Sequence, residues 1–296
     1  MSSLPDRSPL TPRFHRGELI DIGSRQLRLV RAGPHSAKPT IVLECGAFGC
    51  AADWAVVQER LAAKGLRSLA YDRAGLGFSD PGPTPRDGRA VVADLQALLA
   101  AAGEEGPFVL AGHSMGGLFV RLFALSHPDQ VLGLVLVDAV TPEAMDTPAF
   151  ANAVHAYRGA MRLVGFSARF GYMRPVSLVI GNLIGLTGLA ASEKRRVYGS
   201  RVHTRWAAEE VQSWPAASIQ ARDAGRLDPK LPVAVVTAGA AGAARRLKAI
   251  QSAPASASDH GYVDHVAGSN HASLLGRRFA DPIVKGIEHV LAARGV

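Results

Sequence analysis

The sequence predicts an α/β protein: a mostly parallel central sheet of about eight strands, flanked by helices, with an inserted helical cap. Three observations carry that prediction. From residue 40 to Asp138, short apolar runs of strand length alternate with stretches of helical apolar spacing. Most of these runs are uninterrupted, as expected of strands buried on both faces. The alternation then lapses from Ala139 to about Asp228, where helical patterns follow one another, and resumes at Pro232. The chain thus divides into a core of 17–138 and 229–296, a cap of 139–228, and a flexible N-terminal segment of 1–16.

The elements follow in order. Residues 17–31 alternate polar and apolar around Gly23-Ser24, which predicts a β-hairpin with one wet face. Thr40–Glu44 is a continuous apolar strand ending in the loop Cys45-Gly46-Ala47-Phe48-Gly49. A helix is expected from Asp53, as N-cap, to Lys64, with Gly65 as its stop. Leu66–Tyr71 forms the next strand. Residues 87–102 carry helical spacing at Val91, Leu95, Leu98 and Leu99, closed by Gly103. Phe108–Ala111 and Val131–Val137 are buried strands, the second ending at Asp138. The cap shows helical patterns over 147–163, 176–189, 192–206 and 207–224. Strands return at 232–237 and 260–267, separated by a Gly/Ala/Ser-rich segment, and a helix closes the chain over 282–293.

Between the strand at Phe108 and the helical spacing from Leu118 lies Gly112-His113-Ser114-Met115-Gly116, a G-x-S-x-G match. A serine alcohol is a weak nucleophile at neutral pH. A tight strand-to-helix turn lifts its Oγ clear of the sheet, and small residues on either side let strand and helix backbones come close. The helix N-terminus also aims N–H groups at charge developing on a substrate. Alone, the five letters describe many ordinary βα turns. The flanking strand and helix make Ser114 a candidate nucleophile. His271, in Ser269-Asn270-His271-Ala272-Ser273 after the last strand, stands where a base could reach it. In parallel sheets, chemistry gathers at the carboxyl ends of strands, where Gly46-Ala47, Asp72, Ser114 and Asp138 all lie.

Composition narrows the function classes. The 296 residues are 48% hydrophobic and 20% charged, a globular balance. The excess of 33 basic over 25 acidic residues is scattered in short clusters with few aromatics, a solvated basic surface rather than a nucleic-acid site. Cys45 and Cys50 fit no disulfide framework or metal site and suit a cytoplasmic protein. His260 and His265, five apart around a strand, face opposite ways and share no metal. Gly239-Ala-Ala-Gly242 lacks the third glycine and ribose-binding acid of a dinucleotide loop. The reading therefore includes no metal and no organic cofactor. Met1–Pro12 has no apolar segment of signal-peptide type. The uncharged run Pro175–Ser192 is short for a transmembrane helix and is broken by Asn182, three glycines and a proline. It is expected to form an apolar cap wall, with Leu178, Ile180, Leu183 and Ile184, and no stable membrane insertion.

From about residue 17 onward, the serine turn and terminal histidine together resemble the α/β-hydrolase fold. Glu44-Cys45-Gly46-Ala47-Phe48-Gly49, followed by Trp54, resembles a subgroup in which glutamate replaces the histidine of the usual His-Gly oxyanion motif. Tyr71–Asp80 resembles this fold's D-R-x-G-x-G-x-S segment, and Gly112–Gly117 is one of its common elbows. The resemblance implies Ser114 as nucleophile and His271 as general base. It places the oxyanion hole at the backbone N–H of Met115 plus that of Ala47, with Phe48 as the alternative to Ala47. Asp72 and Arg73 would hold loops in place. The implied activity is hydrolysis of a small apolar carboxylic ester through an acyl-enzyme. The alternatives are another serine-dependent reaction, C–C bond hydrolysis or acyl transfer, and a non-catalytic binding module on the same scaffold. Dehalogenase and epoxide hydrolase chemistry are disfavoured by a serine where the elbow needs a carboxylate.

One departure concerns the acid. The fold usually carries it after the penultimate core strand, yet no Asp or Glu occurs from Ala238 to Ala257. Asp259 precedes the last strand, Asp264 lies within it, and Glu44 belongs to the oxyanion loop. Asp138 ends the strand after the elbow helix, where members of the fold whose acid follows the sixth core strand carry theirs. Asp138 is therefore the expected partner of His271, with an ordinary helix N-cap or loop-bonding aspartate as the competing reading.

Overall fold

The computed structural model describes residues 15–35, 38–170, 182–242 and 244–296. Its strands form one sheet of eight in the order β1-β2-β4-β3-β5-β6-β7-β8. The hairpin β1 (Glu18–Asp21) and β2 (Gln26–Ala32) is antiparallel, and β2 pairs antiparallel with β4 (Ser68–Tyr71). From β4 onward every pairing is parallel, through β3 (Ile41–Glu44), β5 (Phe108–His113), β6 (Val131–Val137), β7 (Val233–Ala238) and β8 (Gly261–Val266).

The uninterrupted apolar strands are explained by burial on both faces. Along β5, Phe108 and Leu110 enter the core on one side, while Val109 and Ala111 enter the core on the other. The first side is covered by α2 (Gly88–Ala101) and α3 (Gly116–Ser126), the second by α1 (Ala55–Ala63) and the closing helix Asp281–Ala293. Gly65 and Gly103 follow α1 and α2 with φ of 70° and 66°, the left-handed stop that glycine adopts freely.

Several boundaries differ from expectation. Asp53 is not the N-cap of α1. It sits inside a 3-10 turn, Ala51–Trp54, accepting from the Cys50 amide and pairing with Lys194 Nζ at 2.5 Å. Between β6 and β7 the described helices are α4 (Pro142–Met145), α5 (Pro148–Ser167), α6 (Gly188–Tyr198), α7 (Arg201–Gln212) and α8 (Trp214–Asp223). The expected helix over 192–206 is interrupted at Gly199-Ser200, because the Ser200 side chain accepts from the His203 amide and starts α7 anew. The expected helix over 176–189 lies outside the described residues as far as 181, and from Asn182 to Thr187 the chain turns instead. α8 packs on α2 and α3. The Gly/Ala/Ser-rich segment after β7, for which the sequence predicts no element, holds a helix, α9 (Arg245–Ser256). α10 (Asp281–Ala293) ends the chain.

Residues 1–14 of the expected flexible N-terminal segment lie outside the described residues, and Arg16 pairs with Glu193 at 3.2 Å. Among the described residues no helix is long and apolar enough to cross a membrane. Cys45 and Cys50 are free and buried.

Candidate active site

Three parallel strands end side by side and deliver the candidate residues. β5 runs into Ser114, whose φ of 55° lies in the left-handed region, unusual for a residue with a side chain. Two strands' worth of backbone hold it there: Ser114 N–H donates to Val137 O at 3.1 Å, and Val140 N–H donates to Ser114 O at 2.9 Å. Small residues make the turn possible. A Cβ on Gly112 would lie 2.7 Å from Gly116 O, and one on Gly116 would lie 2.6 Å from Cys45 O. The second glycine therefore lets the start of α3 rest against the end of β3.

β6 ends in the same way. Asp138 has φ of 42°, with its N–H bonded to Val236 O at 2.7 Å. β3 ends in the loop carrying Phe48, whose φ is 57°. Each such residue costs about 1–3 kcal/mol and persists only where its surroundings fix it. Strained residues at three strand ends mark this sheet edge as the place to look for chemistry.

The loop after β8 brings His271 to that edge. Asn270 Oδ1 accepts from the Ser273 amide at 2.9 Å, and Leu274 N–H returns to Asn270 O at 3.0 Å, so the turn presents His271 outward. His271 Nδ1 lies 2.6 Å from Asp138 Oδ2, and its side chain is 54% exposed, open to a ligand. The other Asp138 oxygen accepts from Ala238 N–H at 3.2 Å and from Gln251 Nε2 at 3.4 Å. Burial alone would push the Asp138 carboxyl up. The hydrogen bond and charge of His271, with the Ala238 amide, outweigh it and hold the group below the usual carboxylate range. Asp264 instead meets Tyr262 Oη at 3.4 Å, and Asp259 precedes β8.

Ser114 and His271 line two cavities in common and are not hydrogen-bonded to each other. Such a pair is often loose until a ligand is bound. One cavity, of about 340 Å³, is walled by Val140, Ala144, Phe150, Trp214 and Leu247, with Asp138 at its edge. The other, of about 120 Å³, is bordered by Ala47, Asp53, Ile184, Lys194 and Tyr198. Ala47 thus sits across a small space from Ser114, and Gly46 is closer still: a Cβ there would lie 2.9 Å from Ser114 Cβ. Met115 is fully buried at the first turn of α3. Among the described residues, the amides of Ala47 and Met115 donate to no carbonyl or side chain.

His113 stands inside the G-x-S-x-G match, but no role is expected of it from the sequence. Its Nε2–H donates to His271 O at 3.1 Å, and the two rings meet at a 32° tilt, 4.5 Å between centroids. Burial, then the neighbouring His271, push its pKa down to about 3, so it stays neutral and acts as a packing support. Lys248 and Gln251, on the helix that composition hid, also had no sequence signal. Lys248 Nζ caps Ala238 O at 2.7 Å and Gly239 O at 3.0 Å, tying down the strand end that serves Asp138. Glu44, Asp72 and Arg73 are buried beneath the loops. Among the described residues no cluster of three His, Cys, Asp or Glu side chains could hold a metal ion.

The architecture is that of the α/β-hydrolase fold. Residues 39–170 match the family model described as alpha/beta hydrolase fold. A thermophilic esterase from Thermogutta terrifontis is similar in structure at 20% identity, with a TM-score of 0.67 over 92% of this chain and 98% of that one. The enol-lactonase from Burkholderia xenovorans LB400 is similar at 20% identity, with a TM-score of 0.65 over 93% of this chain and 100% of that one. In sequence, the chain is 37% identical over 136 residues to an AB hydrolase superfamily protein of Gibberella zeae, covering 42% of each chain. It is 31% identical over 182 residues to a larger protein of Schizosaccharomyces pombe, covering 58% of this chain and 31% of that one. These matches span less than half the length of the curated relatives concerned.

Proposed function

We propose that this protein is a serine hydrolase that cleaves a carboxylic ester bearing an apolar group, through an acyl-enzyme on Ser114. The observation that carries the reading is the 2.6 Å contact between His271 Nδ1 and Asp138 Oδ2 at the sheet edge that also presents Ser114 in a left-handed turn. With Nδ1–H donated to Asp138, the free Nε2 is the nitrogen left to take a proton from Ser114 Oγ. Ser114 then adds to the ester carbonyl. The carbonyl oxygen becomes an oxyanion, received by the amides of Met115 and Ala47. His271 returns the proton to the leaving alcohol, and a water molecule, activated in the same way, releases the acid and restores Ser114. The esterase and enol-lactonase that share the fold act on ester-type bonds by their names, which agrees with this choice. The apolar wall of the larger cavity supports an apolar substituent on the substrate.

The test is labelling with a fluorophosphonate, together with turnover of p-nitrophenyl esters. Label is expected on Ser114, and Ser114→Ala should lose both label and turnover, the latter by about four to six orders of magnitude. Turnover retained in the clean variant would refute Ser114 as nucleophile. A wild-type protein inert to both reagents would point to a binding module.

A further inference from the structure

The amide of Ala47 needs something to aim it, and a buried guanidinium beneath the loop is placed to do so. Arg73 is 2% exposed and has five N–H donors, and each has an acceptor. Nη1 donates to Cys45 O at 2.7 Å and to Glu44 Oε1, and Nη2 donates to Gly46 O at 2.9 Å. The remaining two go to one carboxylate, with Nε to Glu210 Oε2 at 2.8 Å and Nη2 to Glu210 Oε1 at 2.6 Å. Glu210 is on α7, in the stretch between β6 and β7, and is itself buried.

A trans peptide is flat, with its C=O and N–H pointing in opposite directions. Gly46 O and Ala47 N–H belong to one such peptide. Fixing the carbonyl on Arg73, below the loop, therefore fixes the amide on the opposite side, toward the cavity shared with Ser114. The Gly49 amide also bonds to Gly46 O, at 3.1 Å, closing the turn. The forked Glu210 contact sets the guanidinium plane, since two parallel bonds leave it no freedom to rotate. Glu44 and the Tyr71 hydroxyl that donates to it hold the other edge.

We infer that Glu210 is a positioning residue: through its two-bonded grip on Arg73 it orients the Gly46–Ala47 peptide, so that the helical insertion aims the oxyanion amide. The inference rests on the serine hydrolase reading. It predicts that losing the grip weakens stabilisation of the oxyanion and leaves ground-state binding intact.

The experiment compares wild type with Glu210→Gln, which keeps the shape but puts an N–H against Arg73. Three quantities are read: kcat and KM for p-nitrophenyl butyrate, the Ki of an alkyl trifluoromethyl ketone, and the Ki of the matching alcohol. Ser114 Oγ adds to the ketone carbonyl, the hydroxyl proton passes to His271, and the carbonyl oxygen becomes an oxyanion. The alcohol makes no such charge. Glu210→Gln is expected to lower kcat by about ten- to hundredfold, less than the loss of a whole oxyanion donor, with KM within about twofold. The ketone Ki should rise in proportion to the loss in kcat/KM, and the alcohol Ki should stay put. Equal loss on both inhibitors, or unchanged kcat in a folded variant, overturns the positioning role. Should Glu210→Gln not fold, Glu210→Asp makes the same comparison, keeping the charge and withdrawing it by one methylene. A wild type inert to ester and fluorophosphonate brings down the hydrolase reading itself, whereas an active wild type with an indifferent variant brings down this inference alone.

Discussion

The two cavities that meet at Ser114 and His271 are built from different materials. The larger has Lys248 and Gln251 beside Asp138 at one end, but most of its wall is Val140, Ala144, Phe150, Trp214 and Leu247, side chains that fit by volume. The smaller is backed by buried ions: Lys194 pairs with Asp53 at 2.5 Å and lies 4.1 Å from the Tyr198 ring centre, while Arg73 is gripped by Glu44 and Glu210 beneath its floor. Apolar walls tolerate exchange of one hydrocarbon for another at modest cost. A buried ion pair does not, because removing one partner strands the other. The first wall is therefore suited to set what the protein accepts, and the second to hold the proposed oxyanion loop still.

Removing the feature common to both sides should give the largest effect after loss of Ser114 itself. Asp138→Asn keeps the size of the side chain but offers Nδ1–H of His271 a poorer acceptor and favours the wrong tautomer. The expected loss in kcat reaches about four orders of magnitude with little change in KM. Steady-state kinetics of the folded variant checks this, and a loss confined to KM would contradict the assignment.

The next effect should fall on one side only. Lys194→Met leaves Asp53 buried at 6% exposure without its cation. The expected cost is about 3–5 kcal/mol of folding stability, read by denaturant unfolding. Ala144→Leu, which adds hydrocarbon at the other wall and strands no charge, should cost less, about 1–3 kcal/mol. Equal costs would remove the distinction drawn between the two walls.

That distinction was only half visible in the sequence. Strand runs such as Phe108–Ala111 and Val131–Val137 announced the sheet, because burial on both faces leaves no polar positions to blur them. Ser114, His271 and Asp138 were legible for a related reason: each ends a strand or follows one, so local pattern fixes its edge of the sheet. The ionic wall had no such signature. Arg73 and Glu210 are 137 positions apart, and no periodicity links them. α9 was hidden because Ala, Ser, Gly and an internal Pro254 give no clear helical apolar spacing, while packing against β7 and β8 makes it a helix. Asp53 and the Gly199-Ser200 break were misplaced because the local capping residues allow more than one boundary.

Acid sharpens the comparison further. Two histidines near the ionic side, His113 and His203, have pKa values pushed from 6.5 down to about 3, by burial first and then by neighbouring positive groups. Below about pH 6.5 the unfolded chain takes up a proton at each site, while the folded chain does not until about pH 3. Stability is thus fully present above that window and is lost as pH falls through it, by up to about 1.4 kcal/mol per pH unit for each histidine. Thermal unfolding between pH 7 and 4 should show this fall. His203→Phe, which cannot be protonated, should flatten it, and an unchanged slope would mean that His203 is not buried neutral.

The smallest effect belongs to the apolar side and is read one methylene at a time. If the larger cavity takes the apolar part of the ester, each added CH₂ leaves water for a wall of Val140, Phe150, Trp214 and Leu247. Each is worth up to about 0.8 kcal/mol, or about fourfold in kcat/KM, until the cavity is full. A p-nitrophenyl series from acetate upward should climb in such steps and then level or fall. Ala144 is buried at the cavity wall, so Ala144→Leu occupies space there and should move the break to a shorter chain while leaving acetate turnover nearly as it was. Lys194 lines the other cavity, and replacing it should leave the break where it is. A break that moves with Lys194→Met and not with Ala144→Leu would place the chain on the ionic side and reverse the assignment of the two walls.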